Sequence, residues 1–262
     1  GTEGGLNLID PVSGRCAVYR NNPQDSLSLS GNYVRCVYQD RRGRLWVGVG
    51  GGGISQFDSR TGHCRAFRAR RDDPHSLAND YVRCMLEDER GRLWLGTEGG
   101  GLSCLVDAER GRFVSYGESD GLPNNVIYGM ALDAQQHLWV ATNKGIARFT
   151  PRTKEFRTYD TRDGLPQDEH NAGAYWRSRD GRLFFGGGNG LVAFQPTAVR
   201  FNAVPPPVVL TGFRKFNRWA PLDTSITASR QLTISPHDNF FSIEFAALNY
   251  RLSDKNRFAY KL

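Results

Sequence analysis

One histidine in the sequence stands beside two acidic residues and could therefore take part in acid–base chemistry. His170 directly follows Asp168 and Glu169, and a histidine held near a carboxylate can act as a general acid and base. Adjacent residues of an extended segment point to opposite faces, however, so proximity in sequence does not establish a catalytic pair. The chain contains no GxSxG, HExxH, EF-hand or Walker pattern. We therefore predict no catalytic residue, no metal site and no cofactor in this segment.

A glycine-rich stretch, Gly48–Gly53, offers a second kind of chemistry, the binding of phosphate. It can be aligned with GxGxxG, a pattern that meets a pyrophosphate where a strand is followed by a helix. Here a strand-like segment follows instead, and a comparable glycine run occurs in each repeat of the chain. The glycines therefore predict tight turns between paired strands, where positive φ angles are common.

The five cysteines could form disulfides or bind a metal, but their spacing argues against both. Cys16 and Cys64 lie 48 residues apart, as do Cys36 and Cys84, which indicates equivalent positions in a repeat. Phenylalanine takes the place of Cys16 and Cys64 in two later copies, so the position is an apolar one. The number of cysteines is odd, and no CxxC or Cys/His metal spacing is present. We predict five free thiols in the core.

Self-similarity is the strongest signal in the sequence. The segments GRLWVG, GRLWLG, HLWVAT and GRLFFG recur at intervals of 48, 45 and 45 residues. Their anchor residues are Trp46, Trp94, Trp139 and Phe184. Such periods, with glycine and tryptophan in fixed places, are typical of β-propeller blades. We expect the three tryptophans to be buried between neighbouring blades.

Each period contains four short apolar segments separated by turn residues. In the first complete period the predicted strands are Val34–Gln39, Leu45–Val49, Gly53–Phe57 and Cys64–Phe67. The first six residues of the chain match the sequence from Gly96 onward, so the chain begins inside a repeat. The sequence thus predicts an all-β fold with four complete four-stranded blades and a partial one.

The pattern LWxGTxGG, together with DGLP linkers, resembles the two-component regulator propeller repeat. The resemblance covers residues 1–203. The last copy, with Asp168–Ala174 followed by Gly181–Gly187 and Phe194-Gln195-Pro196, looks like the terminal repeat of that family. His170 is a departure, because the family usually has an aromatic residue there.

Composition changes at Val204. Pro205–Pro207 ends the repeats, because proline cannot donate to a β-ladder and stiffens a linker. Three alternating segments then predict strands of a β-sandwich: Val208–Phe213, Gln231–Ile234 and Asn239–Ala246. Their order resembles the start of a Y_Y_Y domain, which follows the propeller repeats in that family. We predict two domains, 1–203 and 204–262, in a piece of a longer protein.

Charge and hydropathy exclude two classes of partner. The formal net charge is +7, but the basic residues are not clustered, and the densest group, Arg68–Arg71, runs into Asp72 and Asp73. Nucleic-acid binding needs bases clustered on one face, so we predict no nucleic-acid partner. No apolar run approaches the roughly 18–20 residues of a membrane span.

The resemblance implies a function in signal transduction. It points to the extracytoplasmic input part of a membrane-spanning hybrid histidine kinase or diguanylate cyclase. We therefore expect a sensor segment on the periplasmic side of the inner membrane. Contact with the membrane, and any homodimer, would be made through other parts of the parent protein. A propeller enzyme, such as a lyase or glycan-active hydrolase, is the alternative, and a scaffold for protein partners is a weaker one.

Ligands of propellers usually meet the loops that lead into the innermost strands, because loops on a rigid scaffold carry function. We expect an unknown small molecule or an oligosaccharide to bind at these loops. The candidate binding residues are Asn32, Tyr33, Asn79, Tyr81, Asn124, Asn125, Glu169, His170 and Asn171. For any one of them, the alternative is a structural role, as a turn-forming asparagine or a tyrosine that begins a strand.

Overall fold

The computed structural model describes residues 1–199, 206–220, 225–227 and 234–248. The chain divides into two compact units, Gly1–Val199 and Arg200–Leu262. The all-β fold class is confirmed, since the described helical segments are only short 3-10 turns at Glu118–Asp120, Thr161–Asp163 and Pro196–Ala198. In the described ranges, no helix has the length and apolar character that crossing a bilayer requires.

The first unit begins with a two-stranded sheet and continues with three four-stranded sheets, each an antiparallel meander. The two-stranded sheet pairs β1 (Leu6–Ile9) with β2 (Cys16–Tyr19). Blade I consists of β3 (Val34–Gln39), β4 (Leu45–Val49), β5 (Gly53–Phe57) and β6 (Cys64–Phe67). Blade II consists of β7 (Val82–Glu87), β8 (Leu93–Thr97), β9 (Leu102–Asp107) and β10 (Arg112–Tyr116). Blade III consists of β11 (Ile127–Leu132), β12 (Leu138–Thr142), β13 (Gly145–Thr150) and β14 (Glu155–Tyr159). The four strands predicted for blade I are confirmed with the same bounds.

The fourth repeat is predicted to be a complete blade. It forms a sheet of three strands in the described residues: β15 (His170–Arg177), β16 (Leu183–Gly187) and β17 (Gly190–Phe194). Shortly after β17, Pro196 begins a 3-10 turn. Because proline has no N–H to donate, the chain cannot continue a β-ladder at this point. Of the four complete blades predicted, three are confirmed within residues 1–199, and residues 200–205, which follow the fourth repeat, lie outside the described residues.

The first strand of each repeat lies next to the first strand of the following repeat. β3 contacts β7, β7 contacts β11, and β11 contacts β15. These four innermost strands form a continuous wall, as in a β-propeller. We call the end of the unit at which they begin the mouth, and the turns at their other end the base turns.

The three repeated tryptophans fill the space between sheets, as predicted. Trp46, Trp94 and Trp139 are each no more than 1% exposed. Trp46 packs in one cluster with Val82 and Leu95 of blade II. Trp94 packs with Ile127 and other residues of blade III. Burial of these large rings between sheets is a major apolar contribution to the stability of the stack.

Each indole also meets a buried carboxylate from the base turn of its own blade, a pair we call the Asp–Trp pair. The indole Nε1 donates to Oδ2 of the aspartate at 2.9 Å in all three blades. The aspartates are Asp40, Asp88 and Asp133. Each also accepts backbone N–H groups of its turn and a side-chain contact from Arg44, Arg92 or His137. The buried carboxylate is thereby fully hydrogen-bonded, as burial requires.

In the fourth repeat both members of the pair are replaced together. Phe184 stands in the place of the indole and Ser178 in the place of the aspartate. A phenylalanine has no N–H to satisfy, and Ser178 Oγ donates instead to the carbonyl oxygen of Arg182. The buried carboxylate is thus present where an indole N–H requires an acceptor and absent where none does.

The cysteines are free thiols, as predicted, but they are not all in the core. Cys64, Cys84 and Cys104 are buried, Cys36 is half-buried, and Cys16 is exposed. The prediction of a core position is therefore wrong for Cys16 and holds only in part for Cys36. Cys64 lies on β6, where its N–H donates to the carbonyl oxygen of Leu27 in the linker. Among the described residues no such linker covers Cys16 on β2.

The described part of the second unit is a three-stranded antiparallel sheet. β18 (Val208–Lys215) lies between β19 (Arg218–Trp219) and β20 (Phe241–Ala247). The predicted strands Val208–Phe213 and Asn239–Ala246 are confirmed with shifted bounds. Most of the predicted strand Gln231–Ile234 lies outside the described residues, as does the predicted boundary at residue 204. The Y_Y_Y assignment stays a prediction.

Candidate functional site

A short polar residue precedes the innermost strand of every repeat and forms the same hydrogen bond each time. Its Oδ1 accepts the N–H of a residue that follows the last strand of the preceding sheet, at 2.7–3.0 Å. These residues are Asn32, Asp80, Asn125 and Asp168. Two of them, Asn32 and Asn125, are among the predicted binding residues. Their side-chain oxygens already accept hydrogen bonds that connect neighbouring sheets.

The backbone at these positions joins consecutive sheets. The carbonyl oxygens of Asp80, Asn125 and Asp168 accept the N–H of a glycine at the start of the third strand of the preceding blade. The glycines are Gly53, Gly101 and Gly145, with φ between 72° and 89°. A Cβ on any of them would lie within 2.3 Å of a carbonyl oxygen, so glycine is required there.

Asn79 and Asn124 form turns rather than projecting into solvent. Each Oδ1 accepts the backbone N–H two residues further on, at 2.8 Å. This Asx-turn geometry sets the direction in which the chain enters the innermost strand. Asn124 Nδ2 also donates to Glu118 Oε1 at 3.3 Å. Both asparagines therefore have the turn-forming role that the sequence analysis gave as the alternative to ligand binding.

The two predicted tyrosines do lie at the mouth with accessible rings. The guanidinium of Arg35 lies 4.2 Å from the ring centroid of Tyr33, within the range of a cation–π contact. Tyr81 is 48% exposed, and its ring approaches Gly51 in the neighbouring blade. Their backbone carbonyl oxygens accept the N–H of Gly50 and of Glu98, which fixes the base of each side chain.

His170 is enclosed, whereas its neighbours Glu169 and Asn171 are exposed. The imidazole is 3% exposed. Its Nδ1 lies 3.0 Å from the carbonyl oxygen of Thr142 and 3.1 Å from that of Asp168. The polar partners of this nitrogen are therefore backbone carbonyls rather than the carboxylates that an acid–base pair would need. An imidazole this enclosed meets a ligand only if β15 moves.

The mouth also contains a charged cluster that the sequence analysis missed. Glu98 Oε2 accepts from Arg83 Nη2 at 2.8 Å and from Arg83 Nε at 3.0 Å, and lies 4.0 Å from Arg35 Nη2. Hydrogen bonding and charge from Arg83 lower the pKa of Glu98, despite some opposing desolvation. The guanidinium of Arg83 also lies 4.8 Å from the ring centroid of Tyr128. We call Arg35, Arg83, Glu98 and Tyr128 the mouth cluster.

A repeated tetrapeptide could have revealed two members of this cluster. The sequence YVRC occurs at residues 33–36 and again at 81–84. Arg35, Arg83, Tyr128 and Asn171 are each the second residue of an innermost strand. The first residue of each strand is buried, so the alternation of a strand turns the second to the opposite face. Glu98 had no comparable signal, because it follows β8 in another loop.

The segments that hold these loops match a known repeat. The two component regulator propeller family matches at residues 28–51, 76–99 and 121–144. These segments contain the first two strands of blades I, II and III and the turns that carry the Asp–Trp pairs. The predicted resemblance is thus confirmed for three of the four repeats that carry an anchor residue.

One curated relative is Histidine kinase P4 of Formosa agariphila. It is 30% identical over 152 residues, which cover 55% of this chain and 11% of the relative. The chain therefore matches only about a tenth of that kinase.

Two similar crystal structures are extracellular domains of two-component systems from B. thetaiotaomicron. The first, from a hybrid system, is 28% identical, with a TM-score of 0.68 over 97% of this chain and 34% of its own. The second, also from a hybrid system, is 17% identical, with a TM-score of 0.64 over 94% of this chain and 46% of its own, and it supports the fold alone. The chain thus carries two-component regulator propeller repeats, and its relatives are a histidine kinase and the extracellular domain of a hybrid two-component system.

Proposed function

We propose that this chain is the ligand-binding sensor segment of a membrane-spanning signalling protein and that its ligand binds at the mouth. The relatives supply the signalling context. The mouth cluster is the observation that carries the location, because it joins side chains of three consecutive blades around one partly exposed carboxylate. In a membrane-spanning sensor, the segment that binds the ligand and the domain that produces the output lie on opposite sides of the membrane. We therefore propose that this segment lies on the periplasmic side of the inner membrane.

The cluster has the chemistry to recognise a small polar molecule. Glu98, 38% exposed at its side chain, offers carboxylate oxygens, and the arginines offer N–H donors in a fixed plane. The ring of Tyr33 lies beside Arg35 and that of Tyr81 lies beside Gly51 of blade I, and both provide flat apolar surfaces. Hydroxyl-rich molecules such as oligosaccharides combine polar edges with apolar faces, and peptides do so as well. We therefore propose an oligosaccharide or another small polar molecule as the ligand.

Binding at this place could change how the blades contact one another. Arg35 belongs to blade I, whereas Arg83 and Glu98 belong to blade II. A ligand that competes for the Glu98 carboxylate would alter the contact between these two blades. A signal requires only that the ligand bind one arrangement of the protein more tightly than another. The output would then be a histidine kinase or diguanylate cyclase domain in the remainder of the parent protein.

A thermal-shift screen of the purified chain tests this proposal. Defined oligosaccharides and dipeptides are tested singly, and any compound that raises the Tm is titrated against two variants. We expect Tyr81→Ala and Arg35→Gln to weaken binding at least tenfold. Arg60→Gln, in an exposed turn between β5 and β6, is the matched control and should leave affinity unchanged.

Two results would overturn the proposal. Affinity that is the same in all three variants would place the ligand elsewhere. Hydrolase or lyase turnover of a bound compound, abolished by His170→Ala, would establish the propeller enzyme instead.

A further inference from the structure

A groove lies between the outermost strands of blades I and II. Its volume is about 320 Å³. Four arginines line it above two aromatic rings: Arg65, Arg68, Arg70 and Arg110 over Phe67 and Phe113. Among the described residues, no carboxylate lines this groove. We call it the arginine groove.

Two of these arginines are held in place by neutral partners. Arg68 Nη2 donates to the carbonyl oxygen of Ser30 at 2.6 Å. Arg65 Nη2 donates to the carbonyl oxygen of Glu109, and its guanidinium lies 5.0 Å from the ring centroid of Phe67. A carbonyl oxygen positions a guanidinium without cancelling its charge. Each group therefore keeps its full charge and further N–H donors.

The other two arginines stand at the rim. Arg70 pairs with Asp73, and Arg110 lies 3.9 Å from Asp107. The side chain of Arg110 is 77% exposed, so its ion pair is weak in water and the guanidinium can turn toward a bound anion. The groove thus combines two arginines held by carbonyl oxygens with two that face carboxylates at the rim.

The repeat architecture does not require the two fixed arginines. Where blade I has Arg65 and Arg68, the strand register places Val114 and Gly117 in blade II and Arg157 and Asp160 in blade III. Arg65 thus has an equivalent in blade III, but among the three complete blades the two arginines occur together only in blade I. The combination of cations in this groove points to a ligand rather than to the scaffold.

We propose that the arginine groove binds a tetrahedral oxyanion ester, the phosphate or sulfate group of a larger molecule. Guanidinium groups present paired N–H donors that match two oxygens of such a group. Phe67 and Phe113 are buried and form the apolar floor of the groove. The volume lies at the lower end of the range for small-molecule sites, roughly 300–1,000 Å³. This site is independent of the ligand proposed for the mouth.

NMR titration of the purified chain tests the site with three probes that share one sugar. Glucose 6-phosphate and glucose 6-sulfate distinguish the two esters, and glucose is the neutral control. We expect one or both esters to shift the amide signals of residues 65–70 and 110–113 saturably, and glucose to shift none. The ester that binds more tightly identifies the chemical source of the anion.

Charge-matched variants separate a built site from general attraction to a basic protein. The double variant Arg65→Gln/Arg68→Gln should weaken binding at least tenfold. Arg90→Gln/Arg152→Gln removes the same charge from another groove, of about 410 Å³, between blades II and III, and should change binding less than twofold. If the first variant does not fold, Arg110→Gln takes its place, with a loss of at least twofold expected. Shifts that do not saturate, or equal losses in both grooves, would overturn the proposal.

Discussion

Blades I to III have the same pair of carboxylate and indole beside the base turn, whereas the tyrosine and arginine of the mouth are shared by blades I and II alone among the three. At the base turn of blade II, Trp94 Nε1 donates to Asp88 Oδ2 at 2.9 Å, and the pairs of the other two blades have the same hydrogen bond. At the mouth, the second residue of the innermost strand changes from arginine to tyrosine to asparagine along the chain. Positions that recur in every blade hold the blades together, and positions that vary are available to bind a ligand.

Removal of a buried indole should have the largest effect on the free energy of unfolding. We expect Trp94→Ala to reduce the free energy of unfolding by about 3–5 kcal/mol, because it leaves a cavity between blades II and III. Phe184→Ala, at the equivalent but half-buried position of the fourth repeat, should cost less. Urea unfolding followed by tryptophan fluorescence and circular dichroism measures both. Losses below about 1 kcal/mol in Trp46→Ala, Trp94→Ala and Trp139→Ala alike would show that the indoles do not hold the blades together.

Removal of the carboxylate should have the next largest effect. Asp88→Ala leaves the indole N–H and two turn N–H groups without their acceptor, which costs about 1–3 kcal/mol. Ser178→Ala, the corresponding change in the fourth repeat, should cost well under 1 kcal/mol. The two variants are compared in the same urea unfolding experiment. Equal losses would mean that the carboxylate has no special role at the base turn.

The same carboxylates predict how stability depends on pH. Burial raises the pKa of Asp88, but hydrogen bonds from Trp94 and Arg92 outweigh it, and the pKa lies below its ordinary value in the folded protein. A lowered folded-state pKa gives stability that is present above the unfolded value of 3.8 and is lost as pH falls through the folded value. We therefore expect the Tm to drop below about pH 4. The drop should be smaller in Asp88→Asn, in which this group no longer titrates.

The cysteines provide a smaller test that leaves the fold intact. In the native protein, Cys16 should react first with a thiol reagent, because it is exposed while Cys64, Cys84 and Cys104 are buried. Burial also raises the pKa of Cys104 to about 12, so little thiolate is present. Denatured without reductant, the chain should titrate five thiols. Recovery of a single thiol would contradict the equivalence of the repeated cysteines, and slow labelling of Cys16 in the native state would contradict its exposure.

Sequence reasoning succeeded where one blade repeats the next. The strand bounds of blade I follow from alternating apolar residues between turn residues, and the burial of Trp46 follows from its recurrence. The Asp–Trp pair was equally visible, as an aspartate six residues before each indole. Its hydrogen bond was missed because it depends on the shape of the turn. The sequence analysis named His170 as a candidate ligand-binding residue. The residues at the same position in blades I and II, Val34 and Val82, are apolar, however, which indicated a buried position.

Sequence reasoning failed where residues meet across repeats. Glu98 and Arg35 are 63 residues apart, and only the packing of blade I against blade II brings them to 4.0 Å. The arginine groove depends likewise on the spacing between β6 and β10. The fourth sheet was predicted complete because its anchor resembles the others, and three of its strands lie within the described residues.

One measurement addresses the division between a structural base and a binding mouth most directly. Two arginines of blade I are exchanged separately, Arg35→Gln at the mouth and Arg44→Gln at the base turn. Pooled oligosaccharides and dipeptides are then titrated into each variant and the parent chain, with amide shifts followed by NMR and Tm by calorimetry. We predict that Arg35→Gln abolishes ligand-induced shifts around residues 33–35, 81–83 and 98 while the Tm stays the same. We predict the reverse for Arg44→Gln. Shifts centred on the base turns, or a parallel loss of binding and stability in both variants, would contradict the account.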